Sequence, residues 1–419
     1  MSEAARALTI VSLNPRGEGV AAEGTVAPLL LPGETALVEA DGERARVVAL
    51  DVASPERAEP ICPYFGRCGG CAAQHMSQRL YSTWKRDGLV RALARAGVAA
   101  EVGPLFDAHG DGRRRATFHA RFIDGREQVG FMRARAHDIV AVDACPLFAP
   151  GLAGAIPAAN ALAAALRGVG KPLDIQATAT LGGLDFDLRG SGAPDDATRR
   201  KLAAAAERLD LARLAVHGET IVERRPPRVA FGDVLATPPP GGFLQATEAG
   251  ERALADGAAA ALADARRVAD LFCGAGAFAL RLARAHEVLA VDSDAAAVSA
   301  LKRAAGAATG LRAVRAETRD LFRRPLIGTE LARFDAALFD PPRAGAEAQA
   351  RALAADGPPL VVAVSCNPDS FARDARILIA GGYAIGPVAA LDQFRFSPHV
   401  EILAAFRRRP IKRRKGPLG

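Results

Sequence analysis

Residues in the C-terminal part of the chain come in short, mainly apolar runs, at residues 267–272, 288–291, 334–339, 360–364 and 402–406, interrupted only by Arg267, Asp270 and Asp335. Runs of this length bounded by Gly, Pro and Asp read as buried strands. Helical spacing separates them, first over 277–284, so the pattern predicts an α/β domain with a doubly wound sheet over 241–406. The first residues are patterned differently. Short β-rich stretches at 8–13, 26–31, 35–39 and 45–51 are divided by turns such as Asn14-Pro15-Arg16-Gly17, which predicts a small barrel over 1–58. Between these units, 59–240 predicts a central α+β domain. It has helices over 80–96, 153–166 and 195–209, alternating strands from Arg113 to Asp143, and a hairpin around Gly182-Gly183. A Pro- and Gly-rich stretch, 224–242, marks the junction with the last domain.

Composition narrows the class. The 419 residues are 50% hydrophobic and 24% charged, which fits a folded multi-domain protein. The net charge of +7 favours a polyanionic partner, RNA before a small acidic ligand. Residues 407–419 form a basic tail, either solvated or an arm touching RNA. No apolar run is long enough to span a membrane and the N-terminus lacks a leader-like apolar stretch, so a cytoplasmic protein that does not engage membranes is expected. A monomer is expected. Arg and Phe interleave from Arg113 through Arg121-Phe122 to Phe131, which suits single-stranded RNA or, equally, ordinary strands with Phe inside and Arg outside.

Six cysteines in such a chain point to metal or catalysis rather than disulfides. Cys62, Cys68 and Cys71 lie in one glycine-rich stretch, and Cys145-Pro146 follows much later. Four thiolates suit zinc or an iron–sulfur cluster. A zinc ribbon pairs two CxxC units, whereas here one CxxC carries an extra Cys and a distant partner. That asymmetry favours a [4Fe-4S] cluster over zinc, in a structural or RNA-positioning role.

The candidate chemistry lies in the last domain. The strand 267–272 runs into Cys273-Gly274-Ala275-Gly276, and the next strand ends at Asp292, about 20 residues on, where a carboxylate meets a ribose bound over the turn. The third glycine of the dinucleotide fingerprint is missing, which fits S-adenosylmethionine better than NAD. Asp340-Pro341-Pro342-Arg343 ends another strand. Cys366 ends the strand 360–364 just before Asn367-Pro368 stops it, at the edge where open α/β sheets bind ligands.

Taken in order, Asp270 to Gly276, Asp340 to Gly345, Val364 to Pro368 and His399-Val400-Glu401 resemble the RNA uracil-5-methyltransferases that form 5-methyluridine. Arg16-Gly17-Glu18-Gly19 and Leu31-Pro32-Gly33-Glu34 resemble the RNA-binding TRAM barrel. Together with the cysteine quartet they are similar to the iron–sulfur branch acting on 23S rRNA, with tRNA the other candidate. The resemblance implies a Rossmann-like S-adenosylmethionine domain, Cys366 as nucleophile and Glu401 as base. It places cofactor contacts on Gln245, Phe272, Gly274, Gly276, Asp292, Asp320 and Asp340. It also implies that the target base leaves its stack to meet Cys366. Three positions depart from the family pattern: Ala277 where Asn is frequent, Asp292 in place of Glu, and Ser397-Pro398 before His399. Two other readings stay open: a methyltransferase acting on a nucleic-acid amine, which needs no Cys366, and a metal-stapled RNA-binding protein without catalysis.

Overall fold

The computed structural model describes residues 5–136 and 138–408. Five strands, Arg6–Leu13, Gly19–Ala21, Val26–Ala27, Thr35–Asp41 and Arg44–Val52, close into a barrel. Alternation along the first strand turns Leu8 and Ile10 inward onto Ala21, Leu30, Ala36 and Val38. The strand expected over 26–31 stops after two residues, because Leu29 adopts a left-handed conformation with φ 63° and turns the chain. Glu34, just before the strand Thr35–Asp41, ties the barrel to the segment that follows it. Its fully buried carboxylate accepts the N–H groups of Leu31 at 2.7 Å and Ser54 at 3.1 Å, and both forks of Arg57 at 2.6 Å. A buried carboxylate is tolerated only when paired in this way.

The central unit is a seven-stranded sheet in the order Glu219–Glu223, Arg213–Val216, Gly183–Arg189, Leu173–Thr180, Arg115–Ile123, Arg126–Met132, Ile139–Ala141. Helices Ala155–Ala165 and Asp196–Arg208 share its apolar core. The interleaved aromatics belong to that core. Phe118 is fully buried and packs on Phe131 and Phe148 at 5.3 and 6.1 Å. Phe118 therefore faces inward, and Phe122, Phe131 and Phe148 are half-buried against the same core.

The last unit carries an eight-stranded sheet ordered Val314–Thr318, Glu287–Asp292, Arg267–Leu271, Ala336–Phe339, Leu360–Ser365, Glu401–Arg408, Tyr383–Asp392, Val102–Asp107. The first five strands are parallel, and Glu401–Arg408 runs antiparallel to both neighbours. Strand order reverses between Arg267–Leu271 and Ala336–Phe339, which opens a crevice at their C-terminal ends. Arg407 and Arg408 end the last strand rather than start a tail; the rest of the basic run lies outside the described residues.

Two pieces of the 59–240 segment belong to this last unit. Helix Gln78–Arg95 and edge strand Val102–Asp107 bury Leu89, Leu93, Val98 and Val102 against Phe371, Leu378 and Tyr383. Pro104 fits that edge position, where no ladder donor is needed. The hairpin Val229–Phe231 and Val234–Ala236 packs on Leu280 and Ala304, ahead of the expected junction at 240. Among the described residues no helix is long and apolar enough to cross a membrane.

Helix Gln78–Arg95 is fastened by a buried charge pair. Lys85, with a side chain 0% exposed, bonds Asp392 and also donates to Phe394 O at 3.0 Å; Tyr81 bonds the other Asp392 oxygen. Removing one partner strands the other in a dry site. Lys85→Ala is thus expected to lower unfolding stability by about 3–5 kcal/mol, read from denaturant melts. A loss under about 1 kcal/mol would contradict this view of the pair.

Candidate active site

The crevice at the strand-order reversal holds a cavity of about 390 Å³. Four strand ends and one antiparallel return build it. The strand Arg267–Leu271 ends in a turn with Phe272 at φ 63°, Gly274 at φ 52° and Gly276 at φ 100°. Such angles favour glycine, and Phe272 is held there by an N–H bond to Val291 O at 2.8 Å. Gly274 and Phe272 line the cavity. Gly276 does not: a Cβ there would lie 2.9 Å from the Leu301 side chain, so this glycine permits helix packing beneath the turn.

Asp292, at the end of the neighbouring strand, also lines the cavity. One of its oxygens accepts the Gly274 N–H at 2.9 Å and the other the Asp294 N–H at 2.8 Å, so its carboxylate braces the turn. Asp340 follows the strand Ala336–Phe339 and accepts the Gln245 Nε2–H at 3.0 Å. Burial holds the Asp340 carboxyl above the ordinary range, against the effect of that bond.

Cys366 stands between strand Leu360–Ser365 and helix Pro368–Ala380. Asn367 caps that helix by accepting the Asp369 N–H at 3.0 Å, with Pro368 opening the first turn. The same side chain donates to Arg343 O at 3.0 Å, tying the two strand ends together. Burial pushes the Cys366 thiol up to about 11, Glu401 and Asp340 add to this, and Arg343 opposes it.

Glu401 arrives from a different direction. Because Glu401–Arg408 runs antiparallel to the cysteine strand with Ile402 opposite Ser365, its first residue meets the other strand's end. Glu401 is almost wholly buried and lines the same cavity as Cys366. Burial, then the charge of Asp340, raises its carboxyl; Gln393, Lys85 and Arg343 work the other way. One oxygen accepts from Gln393 at 2.9 Å, and the other, Oε2, has no partner. His399, two residues earlier, is kept neutral, pushed down to about 4 by burial and by the nearby Arg343.

One cavity thus gathers Gln245, Phe272, Gly274, Asp292, Asp340, Cys366 and Glu401. Asp320 is not among its lining residues. Its carboxylate caps a turn, accepting the Phe322 N–H at 2.9 Å, and so places Phe322, whose ring lies 5.4 Å from Phe272. Phe322 and Arg343 also line the cavity, and no sequence motif marks Phe322. So does exposed Phe243, which carries Arg115 over its ring at 5.4 Å. Buried Cys273 packs under the turn.

The four remaining cysteines, Cys62, Cys68, Cys71 and Cys145, line a separate cavity of about 230 Å³ with Tyr64, Phe131, Phe148 and Arg113. Gly69 is needed there, because a Cβ would come within 2.8 Å of Met132 O. Among the described residues no three His, Cys, Asp or Glu side chains close around a single-ion position.

Comparison with known proteins gives a consistent result. A model of the tRNA (uracil-5-)-methyltransferase family matches residues 241–409. An RNA methyltransferase of Brucella suis is 45% identical over 400 residues, covering 95% of this chain and 96% of the relative. The 23S rRNA (uracil(1939)-C(5))-methyltransferase RlmD of Yersinia enterocolitica is 31% identical, covering 96% and 95%. In fold, the chain superposes on the Pyrococcus abyssi tRNA (uracil-54, C5)-methyltransferase, solved with S-adenosyl-L-homocysteine, with a TM-score of 0.74 at 23% identity over 96% of this chain and 99% of that one. The chain belongs to the RNA uracil-5-methyltransferase family.

Proposed function

We propose that this enzyme forms 5-methyluridine in 23S rRNA, with Cys366 as nucleophile and Glu401 as base. The observation that carries the reading is the convergence of Cys366 and Glu401 on one cavity with the glycine turn and Asp340. S-adenosylmethionine, when bound, supplies an electrophilic methyl group. The cavity suits it: Phe272 and Phe322 give apolar walls, while Asp292, Asp340 and Gln245 give polar ends.

The chain's own residues do the rest. C5 of uracil is a poor nucleophile. The Cys366 thiolate adds to C6, forming a C–S bond and pushing the electron pair onto C5 and the O4 carbonyl. C5 then takes the methyl group. Oε2 of Glu401 removes the C5 proton, the electron pair returns to the ring, and the C6–S bond breaks to release the thiolate. The unpartnered Oε2 is suited to that proton because nothing else in the protein occupies it.

The Yersinia relative's name supports 23S rRNA over tRNA. The closed N-terminal barrel supports a TRAM-like RNA-binding role. The cysteine quartet supports a [4Fe-4S] cluster held by Cys62, Cys68, Cys71 and Cys145. Four thiols line one cavity, and their spacing, one CxxC with an extra Cys before it and a distant fourth, departs from the paired CxxC units of a zinc ribbon. Quartet and Cys366 line separate cavities, so the cluster is a staple and not a reagent. Protein purified without oxygen is expected to carry iron and acid-labile sulfide, and Cys71→Ser to lose both. Zinc without sulfide would reassign the quartet.

The test of the reaction is direct. Methyl-labelled S-adenosylmethionine is incubated with the enzyme and unmodified ribosomal RNA, and the RNA is digested to nucleosides. Label in 5-methyluridine is expected. Label in a methylated amine would replace this reading with the amine methyltransferase.

A further inference from the structure

Gln393 is buried between the two halves of the site. Its Oε1 accepts the Thr247 N–H at 3.3 Å, which turns Nε2 the other way. Nε2 donates to Gln245 Oε1 at 2.6 Å and to Glu401 Oε1 at 2.9 Å. Gln245 in turn donates to Asp340 at 3.0 Å. Two successive amides therefore link the carboxylate beside the glycine turn to the carboxylate beside Cys366.

The backbone around Gln393 is fastened on both sides. Asp392 is bonded by Tyr81 and Lys85, Lys85 also holds Phe394 O, and the Phe396 N–H donates to Tyr81 at 2.8 Å. From the front, Gly250 leaves the side chain room: a Cβ at Gly250 would sit 2.8 Å from Gln393 Cβ and Oε1. A side chain so enclosed has one orientation open to it.

We propose that Gln393 is the positioning residue for Glu401: its amide occupies Oε1 and presents Oε2 to the C5 proton, coupling the base to the Gln245–Asp340 pair. The inference rests on Glu401 being the base. Its consequence is specific to the second half of the reaction, because Gln393 hydrogen-bonds Glu401 and Gln245 and not Cys366.

The test follows one turnover on a uridine-containing RNA fragment with full-length enzyme, quenched in denaturant, counting methylated RNA still bonded to protein. Gln393→Met keeps the volume and removes the donor. It is expected to transfer the methyl group and then release the RNA about 10- to 100-fold more slowly near neutral pH. Its release rate should also need a higher pH. Glu401 faces Asp340 and Cys366, which disfavour its charge, and Lys85 and Arg343, which favour it; losing the N–H donor removes one more favourable contact. Gly250→Ala, which crowds the amide without deleting it, should show the same lag even where Gln393→Met proves unstable. Wild-type release and an unmoved pH profile in both variants would overturn the proposal, provided Glu401→Gln stalls. If Glu401→Gln itself releases RNA normally, the base assignment falls and the proposal with it.

Discussion

Cys366→Ala is expected to abolish methyl transfer to uridine, a loss on the order of 10⁴-fold or more, while the protein stays folded and binds S-adenosylmethionine. Without a C–S bond at C6, C5 never becomes a nucleophile, and no other thiol can substitute. Cys273 is buried under the glycine turn, and the quartet lines a different cavity. The half-buried Cys366 carries no packing that its loss would collapse, since Asn367 and Pro368 still start the helix behind it. Calorimetry with S-adenosylmethionine beside the labelling assay separates the two effects. Activity retained in this variant would remove the covalent mechanism. The raised thiol has a second consequence: the thiolate is scarce at neutral pH, so adduct formation should speed up as pH rises towards the thiol's value of about 11.

Glu401→Gln should stop the reaction one step later. The amide is isosteric, so addition and methylation proceed, but nothing accepts the C5 proton and the C6–S bond cannot break. RNA release is expected to slow by roughly 10²- to 10⁴-fold, leaving a denaturant-stable protein–RNA adduct. In the unaltered enzyme, burial and Asp340 raise the Glu401 carboxyl, so the carboxylate forms only above the ordinary glutamate range. Release should accordingly quicken between about pH 6 and 9, and the Glu401→Gln adduct should show no such rise. An adduct absent from both proteins at every time point would contradict this order of events.

Much of the site is visible in residue pattern alone, for a physical reason. Buried parallel strands must be continuously apolar, so a glycine pair, an Asp or a Cys that ends such a run announces a strand end at the binding edge. Asp292, Asp340 and Cys366 stand out that way, whereas Phe272 and Gln245 come from the family resemblance. Gln393 is not, because its role depends on an antiparallel return that sets Ile402 opposite Ser365, which no local pattern encodes. Phe322 is missed for a similar reason: its place comes from the turn that Asp320 caps. Strand Val102–Asp107 pairs with Tyr383–Asp392, far along the chain, and only the assembled sheet shows that it belongs there. The interleaved Arg and Phe residues teach a narrower lesson. Alternation says that one side of a strand faces inward, and here the rings are that side.

If Cys366 bonds the base and Glu401 frees it, the intermediate between the two steps can be isolated. The most direct measurement digests the stalled Glu401→Gln complex with protease and nuclease and weighs the cross-linked peptide. The expected product is a peptide containing Cys366 that carries a uridine nucleotide with one added methyl group. A nucleotide on any other cysteine, or an unmethylated base on Cys366, would contradict it.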